Sequence, residues 1–356
     1  MNNPIMRVAG LIPAFQARAA ELDAKSSFPT ENIAGLREAG ALACVLPIAN
    51  GGLAYGLDAA TCHEIAHLLR LIGRGHLATG RLFEGHVNAI KLAATYGSPA
   101  QLDHVAHHVQ AGDLFGLWVT DGPDPLRLDG HQLRGGKLFC SGAGHLSHAI
   151  VTAQQPHSEP VLVLVTLEDP ARATPSAIKL QGMRSAVTGA VDLAGLPADI
   201  MGQPGDYLRQ PLFSAGAWRT SAVTLGGIDA LVHAAQTQLV ERGRAGNPHQ
   251  RTRMGQALIA QETAALWVAK AARIAEQEGG DAGDIAAYVN LARMAVEAAA
   301  LQALELVQRS LGLSAFIAGQ PVERLVRDLA TYLRQPAPDE TLTEAAAWFA
   351  SRGLPQ

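Results

Sequence analysis

The sequence has few of the residues that mark disulfide-rich or nucleic-acid-binding proteins. Its three cysteines, Cys44, Cys62 and Cys140, are too few and too widely spaced in 356 residues for a disulfide framework or a four-thiolate metal site. The 28 basic and 32 acidic residues form no basic block and give a formal net charge of −4, which argues against a nucleic-acid partner. We therefore expect a protein of the reducing cytoplasm.

Long apolar runs are also missing. The opening run MNNPIMRVAGLIPAFQARAAELD contains an apolar stretch that is too short to span a bilayer and is interrupted by Pro13. The run also lacks a cationic start and a small-residue cleavage site. It predicts a first helix, and it predicts neither a targeting segment nor a membrane partner.

The hydrophobic fraction of 48% is enough, in a chain of this length, for two or three packed units. Apolar residues recur at helical spacing from Leu11 to about Val109. Short β-prone runs, most of them bounded by Gly, Pro or Asp, follow over 114–120, 132–142, 149–153, 160–167 and 190–196. Long helical patterns return after Gly205. The predicted domains are an α-helical domain over 1–111, a β domain over 112–206 and a helical bundle over 207–356.

The last third of the chain shows the apolar stripes of an antiparallel bundle. Alanines repeat in VNLARMAVEAAALQALELVQ and would let helix backbones approach one another closely. The four predicted helices are marked by apolar residues over 228–239, by Leu258, Ile259 and Leu266, and by apolar residues over 285–303 and 342–351.

The run HEIAH matches the H-E-x-x-H pattern, in which two imidazoles one helical turn apart hold zinc and the glutamate acts as base. The run lies in an amphipathic helical pattern, and neither His76 nor Glu84 supplies a third ligand at a recognised spacing. We therefore predict no metal site. A zinc hydrolase that uses His63, Glu64 and His67 stays a minor alternative.

Three further patterns carry no function by themselves. The run HVAHH, from His104 to His108, is predicted to lie on a solvated helix face. Cys140, in the strand-like run KLFCSG, is predicted to be a core thiol, because free cysteine usually behaves as a small hydrophobe. GAG at 142–144 lacks the strand, turn and helix of a dinucleotide fingerprint, and the sequence has no Walker loop.

Four segments, by their order and spacing, resemble the acyl-CoA dehydrogenase superfamily over nearly the whole chain. They are FPTENIAGLREAGALACVLPIANGGLAYG, LFGLWVTDGP with LRGGKLFCSGAGHLSHAIVTA, QGMRSAVTGAVDLAGLPADIMGQPGDYL, and VQRSLGLSAF with PVERLVRD. The resemblance implies a mainly α fold with a central β domain: an N-terminal helical domain, a small β-barrel-like domain and a C-terminal antiparallel four-helix bundle. It also implies a homodimer or homotetramer.

The same resemblance implies FAD as cofactor. Thr120 and Ser141 would offer hydroxyl groups to the isoalloxazine ring and Phe139 an apolar wall, while the protein orients the ring and excludes water. Arg242 and Gln308 would meet the diphosphate or adenine of a flavin held by a neighbouring subunit.

Pro336 occupies the position of the family's catalytic glutamate when PVERLVRDLATYLRQPAPDETL is aligned without gaps. Proline cannot accept the α-proton of a thioester, and the earlier run SAGAWRTSAVTLGG, where some relatives carry the base, contains no acid. If RQPAP is an insertion, Glu340 is the candidate base, with Asp339 beside it. The stronger interpretation of D-E-T-L is a helix start with Asp339 as N-cap.

The loop after Thr120, DGPDPLRLDG, is much shorter than the stretch that borders flavin and thioester in the relatives. We therefore expect an FAD-dependent oxidoreductase of the acyl-CoA dehydrogenase type, with CH–CH donors, that acts on an unusual acyl-CoA or a carrier-bound acyl group. The sequence does not specify the electron acceptor. One alternative is a flavin-dependent monooxygenase, which needs reduced flavin and oxygen but not the missing base. Another is a flavin-free, non-catalytic relative that serves as a partner subunit.

Overall fold

Helices, strands and helices follow one another along the chain. A computed structural model describes residues 3–277 and 279–355. The α-helices of this part of the chain are α1 Pro4–Lys25, α2 Thr30–Glu38, α3 Cys62–Gly75, α4 Leu77–Tyr96, α5 Pro99–Ala111, α6 Leu212–Ala215, α7 Ala217–Glu241, α8 Pro248–Glu276, α9 Ala282–Leu311, α10 Pro321–Tyr332 and α11 Pro338–Phe349. Its strands are β1 Phe115–Trp118, β2 Arg127–Asp129, β3 Gln132–Arg134, β4 Gly136–Cys140, β5 His148–Gln155, β6 Ser158–Thr166, β7 Ala173–Thr174, β8 Gly189–Asp192 and β9 Asp199–Met201.

Helix α5 begins and ends at residues that satisfy its free backbone groups. The Ser98 side chain accepts a hydrogen bond from the Gln101 backbone, and the Gln101 side chain accepts one from the Ser98 backbone. Pro99 stands at the first helical position, where the missing N–H costs nothing. Gly112 ends the helix with a φ of 105°. The helix is therefore fixed at both ends, directly before β1.

The β domain consists of two sheets. In the larger sheet β5 pairs antiparallel with β6 and parallel with β1 and β2, while β3 and β9 complete the two edges. The smaller sheet has the order β4-β8-β7. The predicted run 132–142 divides into β3 and β4 because Gly135, with a φ of 94°, turns the chain between the two sheets.

Helices α3 and α7 join the N-terminal helices to the C-terminal bundle. A Cβ atom at Gly226 of α7 would lie 2.2 Å from the carbonyl oxygen of Arg70 on α3, so only glycine permits this approach. Beside the crossing, the Arg70 Nε lies 2.6 Å from the Asp229 Oδ2 in a two-point ion pair. The two helical regions therefore pack directly against each other.

Helix α8 faces the bundle with different residues from those predicted. Leu258, Ile259 and Leu266 were expected to form an apolar stripe against the core, but their side chains are 44%, 67% and 64% exposed. The buried face consists instead of Ala257, Ala260, Ala264, Val268, Ala271 and Ala272. Because alanine permits close approach of α8 to α7 and α9, the larger apolar residues are left on the outside of the bundle.

The observed architecture confirms the predicted fold class, with helical segments on either side of a central β domain. Consecutive long helices joined by short loops pack antiparallel in the C-terminal region, and α11 packs on α9. In the described part of the chain, no helix is both long and apolar enough to cross a bilayer.

The segment before β8 lies against α10. A Cβ atom at Gly182 would lie 2.2 Å from the carbonyl oxygen of Arg327, and Asp328 accepts a hydrogen bond of 2.6 Å from the Met183 backbone.

We expect Gly182→Ala to lower the free energy of unfolding by about 1–3 kcal/mol, because the backbone must move to admit the methyl group. Urea denaturation measures this change. In the control Gly255→Ala, on α8, the added atom meets nothing within 4 Å, and we expect a gain of roughly 0.5–1 kcal/mol. Equal effects of the two substitutions would contradict the prediction.

Candidate active site

The structure brings four of the predicted site positions to one cavity of about 490 Å³. Thr120 follows β1, Phe139 and Ser141 lie at the end of β4, and Pro336 follows α10, and all four line this space. We call it the central cavity. Its remaining walls come from α4, α10 and the segment 180–188.

A bulge in β4 turns Phe139 toward the central cavity. The pairing of β4 with β8 shifts register between Lys137 and Cys140, and Phe139 takes the left-handed backbone conformation with a φ of 55°. Its ring is consequently 51% exposed, although its neighbour Cys140 is fully buried. The structure confirms that Cys140 is a core thiol, and burial raises its pKa to about 12.

Lys137 holds the ends of β1 and β4 together beneath the cavity. Its fully buried Nζ donates hydrogen bonds to the Val119 carbonyl oxygen at 3.2 Å, to the Thr152 hydroxyl at 3.0 Å and to the Asp121 carboxylate at 2.5 Å. Burial lowers the pKa of Lys137, and the Asp121 carboxylate opposes this shift. The ammonium group therefore binds both residues that flank Thr120, Val119 through its backbone and Asp121 through its side chain.

The central cavity fits a planar heteroaromatic ring. Two hydroxyl groups, from Thr120 and Ser141, stand beside the exposed ring of Phe139. Tyr332 also lines the cavity, and its buried hydroxyl lies beside Thr220. Burial raises the pKa of Tyr332 well above its ordinary value, so the phenol keeps its proton and can donate a hydrogen bond. A ring with acceptor atoms at its edge would satisfy these groups.

Helix α4 places an arginine, a glutamate and an asparagine on one face that lines the central cavity. The Glu84 carboxylate, whose side chain is 3% exposed, forms an ion pair with Arg81 and accepts a hydrogen bond from Asn88. It also accepts a bond of 3.3 Å from the Thr220 hydroxyl of α7. The Arg81 side chain is 30% exposed, and apart from Nη1 its N–H groups have no hydrogen-bond partner among the described residues. Arg81 is therefore available to a bound molecule, whereas Glu84 is occupied.

A second, smaller cavity of about 150 Å³ shares Glu84, Asn88 and Thr220 with the central cavity. We call it the side cavity. Its far wall contains Arg219, whose Nη1 donates to the Asn88 side-chain oxygen at 3.0 Å and whose Nη2 donates to Glu276 at 2.6 Å.

Glu276 is the central acceptor of the side cavity. It forms ion pairs with Arg219 and Lys91 and accepts a hydrogen bond of 3.1 Å from the Trp218 indole. Burial alone would raise the pKa of Glu276, but Arg219 and Lys91 together lower it below its usual range. The three cations Arg81, Arg219 and Lys91 thus meet two carboxylates, and Arg334, also in the wall of the central cavity, pairs with Glu297. This set of ion pairs therefore carries one excess positive charge.

The structure does not bring Asp339 or Glu340 into either cavity. Both side chains are exposed on α11, and neither lines the walls. The prediction of Asp339 as N-cap is wrong: the N-cap is Ala337, in the left-handed conformation, and Pro338 is the first helical residue. A proline at the first helical position starts the helix two residues earlier than the D-E-T-L pattern indicates.

The role of the C-terminal carboxylates can be tested directly. We expect Glu340→Gln and Asp339→Asn to leave turnover within about twofold of the unchanged protein, because an exposed carboxylate outside the cavity cannot reach the proton it would abstract. Steady-state rates with matched flavin content measure this. A loss of 10²-fold or more in Glu340→Gln would return the base role to that residue.

Arg242 and Gln308 lie on the bundle, outside the cavity that Thr120 and Phe139 line in the same chain. Arg242 follows α7 and donates hydrogen bonds to the Ser314 hydroxyl at 2.7 Å and to the Gln238 side chain at 3.1 Å. The predicted contact of Arg242 and Gln308 with a flavin would require a second copy of the chain, and it stays a prediction.

The two histidine-rich runs differ in their surroundings. In the run HEIAH, the side chains of His63 and His67 are exposed on α3, and the absence of a metal there stays a prediction. The run HVAHH was expected to be solvated. His104 and His107 are exposed, but His108 is half-buried and its Nδ1 lies 2.9 Å from the Asp113 carboxylate. That expectation is therefore wrong for His108.

Arg81, Glu84 and Tyr332 were not singled out by the sequence analysis as residues of the cavity. The available signal was the run GRLFEGHVN, where charged and amide residues at i, i+3 and i+7 interrupt an otherwise apolar helix. A buried helix face that carries an arginine and a glutamate needs partners or a ligand.

Comparison of the sequence with known proteins gives limited matches. No family model matches the chain. The curated 3-sulfinopropanoyl-CoA desulfinase of Variovorax paradoxus is 34% identical over 110 residues, which are 30% of this chain and 26% of the relative. The match thus spans about a quarter of the relative's length.

Solved structures match over nearly the whole chain. TdsC of Paenibacillus sp. A11-2, solved with FMN and indole, has a TM-score of 0.85 at 16% identity and covers 99% of this chain and 98% of its own. Methanesulfinate monooxygenase MsuC of Pseudomonas fluorescens has a TM-score of 0.85 at 18% identity, with coverage of 100% and 99%. Butyryl-CoA dehydrogenase of Megasphaera elsdenii has a TM-score of 0.83 at 16% identity, with coverage of 98% and 99%. From its α–β–α architecture and these likenesses, the chain has the acyl-CoA dehydrogenase fold.

Proposed function

We propose that the chain is a flavin-dependent enzyme that binds a small organic anion, with a sulfinate as the substrate class, against Arg81. The observation that carries this proposal is the composition of the central cavity. Among the described residues that line it, Arg81 has N–H groups without a partner, whereas the one carboxylate, Glu84, is engaged by three neighbours. The cavity is therefore equipped to hold an anion and lacks a free base.

The charges around the side cavity support the same substrate class. The ion pairs of Lys91 and Arg219 with Glu276 leave one positive charge in excess when Arg81 and Glu84 are included. A guanidinium group binds a carboxylate or a sulfinate through two parallel hydrogen bonds, which gives both affinity and orientation.

The comparisons support a sulfinate in particular. Two of the matching proteins carry this group in their substrate names, 3-sulfinopropanoyl-CoA and methanesulfinate. A sulfinate is a small anion with two equivalent oxygens, and it suits Arg81 as the acceptor of both bonds.

The protein would contribute binding, orientation and water exclusion. A bound flavin would supply the electrons for oxygen activation, or an electron-withdrawing ring, beside the substrate. Thr120 and Ser141 would donate or accept hydrogen bonds at the ring edge, Phe139 would cover its face, and the neutral Tyr332 hydroxyl would be a further donor in the same cavity. The TdsC structure contains FMN, so we propose a flavin without assigning FAD.

The favoured reaction is monooxygenation. A sulfinate, oxygen and reduced flavin would give a sulfonate, water and oxidised flavin, and this reaction needs no carboxylate base. Pro336, at the position of the family's usual glutamate, lines the central cavity and cannot accept a proton, so the expected acyl-CoA dehydrogenase reaction has less support. A second candidate is hydrolytic desulfination, in which the C–S bond breaks and sulfite leaves. It rests on the 34% identity to the desulfinase.

We also propose that the chain works as a homo-oligomer. The apolar face of α8 that carries Ile259 and Leu266 is exposed, and so are Leu313 and Phe316 at 83% and 57%, close in sequence to the Ser314 that binds Arg242. Exposed apolar side chains of this size usually mark an interface. Light scattering at micromolar concentration should give a mass of at least two chains. A single-chain mass with flavin bound would contradict the proposal.

Identification of the bound flavin and assays with three candidate substrates test the proposed function. The purified protein should be yellow, and the released flavin, identified by chromatography, distinguishes FMN from FAD. With reduced flavin and oxygen, methanesulfinate should be converted to methanesulfonate. Release of sulfite from 3-sulfinopropanoyl-CoA would support desulfination instead. Rapid anaerobic bleaching of the flavin by butyryl-CoA, with no turnover of either sulfinate, would overturn the proposal in favour of a dehydrogenase.

A further inference from the structure

Three histidines converge where α5 meets β5. His104 and His108 lie one turn apart on α5, and His148 is the first residue of β5. One ring nitrogen from each lies within 4.8 Å of the others. The ring centroids are separated by 4.1 Å between His108 and His148 and by 4.6 Å between His104 and His108. None of the three lines the central or the side cavity.

The hydrogen bonds of this cluster leave nitrogen atoms free for a further ligand. The Asp113 carboxylate accepts from His108 Nδ1 at 2.9 Å and lies 3.5 Å from His148 Nδ1. These contacts leave the Nε2 atoms of both rings. The His148 side chain is only 3% exposed, and its buried Nε2 has no hydrogen-bond partner among the described residues. A buried nitrogen lone pair without a donor is costly, and a metal ion would remove that cost.

Neutral imidazole is the commonest metal ligand in proteins, and it binds the ion through the lone pair of one ring nitrogen. His104, His108 and His148 bring three such rings together at one point. Asp113 would orient His108 through its second nitrogen, as carboxylates do behind many metal-bound histidines.

We propose that His104, His108 and His148 form a site for one divalent transition metal, with zinc as the preferred ion and Asp113 as the residue that orients His108. Three imidazole ligands leave a fourth position for water or an exogenous ligand. Zn–N bonds of about 2.0–2.1 Å require the three nitrogens to approach to roughly 3.3 Å, which small side-chain rotations provide. His104 is exposed and lines a surface depression together with Gln101, so the ion has an entry path.

A metal at this point would tie α5 to β5 and so join the N-terminal helices to the larger sheet. It would act on the stability of that junction and not on the flavin chemistry, since the ligands lie outside the two cavities. The zinc site is thus independent of the proposed function.

Metal binding to the untagged protein, purified with its flavin and freed of metal by a chelator, tests the proposal. We expect one equivalent of zinc per chain, a rise in melting temperature on zinc addition, and the visible absorption of tetrahedral cobalt when Co²⁺ replaces zinc. His104→Ala and His108→Ala should abolish the stoichiometric binding, and Asp113→Asn should weaken it by about 10- to 100-fold.

His107→Ala is the matched control, because His107 is exposed on the same helix, between the two ligands, and is not part of the cluster. It should bind zinc as the unchanged protein does. The proposal is overturned if no equivalent of zinc binds, or if the zinc survives both ligand substitutions, or if His107→Ala removes it equally. Flavin absorbance and melting temperature without metal confirm that each variant is folded.

Discussion

Replacement of Arg81 by glutamine is expected to lower kcat/KM for an anionic substrate by about 10²- to 10³-fold. Arg81 lines the central cavity, and apart from Nη1 its N–H groups have no acceptor among the described residues, so a bound anion would be their partner. Loss of one member of a desolvated, hydrogen-bonded charge pair costs on the order of 2–5 kcal/mol, and about 1.4 kcal/mol corresponds to one factor of ten. The prediction depends on the proposed function.

The Arg81→Gln substitution requires a control variant, because it also affects the neighbouring Glu84. In Arg81→Gln alone, the buried Glu84 loses its ion pair, which by itself lowers stability. The double variant Arg81→Gln/Glu84→Gln removes both charges and should recover most of the melting temperature. If Arg81 binds the substrate, the double variant stays as inactive as the single one. If activity returns with stability, Arg81 serves only to neutralise Glu84.

The flavin provides the second readout for Arg81. Because Thr120, Phe139 and Ser141 lie at β1 and β4 and not on α4, flavin content and its visible spectrum should change little in either variant. A parallel loss of flavin and activity would assign Arg81 to the cofactor instead of the substrate.

Acidification is expected to destabilise the fold steeply between pH 6.5 and about 4. His86 is fully buried; its Nδ1 accepts a hydrogen bond from the Phe115 backbone at 3.1 Å and its Nε2 donates to the Leu42 carbonyl oxygen at 3.0 Å. Protonation of Nδ1 would break the first bond, and burial lowers the pKa of His86 to about 4. Burial and Arg324 likewise lower the pKa of His76 to about 3.

These pKa values determine whether the free energy of unfolding rises or falls with pH. Both histidines have a folded-state pKa below the value of 6.5 in the unfolded chain, so their stabilising contribution is present above pH 6.5 and is lost as the pH falls toward 4 and 3. Near pH 5 the unfolded chain binds about two more protons at these sites, which gives a slope of roughly 2.7 kcal/mol per pH unit. Other titrating groups add to this slope or reduce it.

Urea denaturation at pH 7, 6 and 5 measures the slope. His86→Gln keeps a donor and an acceptor in the ring's place, and it should reduce the slope by about 1.4 kcal/mol per pH unit while lowering stability at pH 7. His131→Gln, at an exposed residue, is the control and should leave the slope unchanged. A stability that is flat between pH 7 and 5 would contradict the assignment of neutral buried histidines.

Much of the fold could be predicted because local patterns determine it. The change from period 3.6 to short β-prone runs near Leu114 indicates the start of the strands, and β1 begins at Phe115. The strands β2, β7 and β9 were missed, since each has only two or three residues and is stabilised by a partner elsewhere in the sheet. The face of α8 was mispredicted because the larger apolar residues were taken for the core, whereas the small ones form it.

The candidate site could be predicted only in part, because some of its contacts join residues that are far apart in the sequence. Thr120, Phe139 and Ser141 lie at or just after the ends of strands that the sequence indicates, and the fold brings them together. The pairing of Glu84 with Thr220 joins residues 136 positions apart, and no local pattern specifies it. The contact of Met183 with Asp328 spans 145 positions and is equally invisible in the sequence.

That last contact has a consequence for the order in which the protein matures on the ribosome. Asp328 accepts the hydrogen bond that fixes the Met183 backbone, and Met183 is part of the cavity wall. Because the β domain precedes α10 in the chain, it leaves the ribosome first, and the segment that holds Met183 lacks this anchor until α10 has been synthesised. If the central cavity binds flavin as proposed, nascent chains arrested before α10 should fail to retain it, and cofactor capture would follow the synthesis of α10.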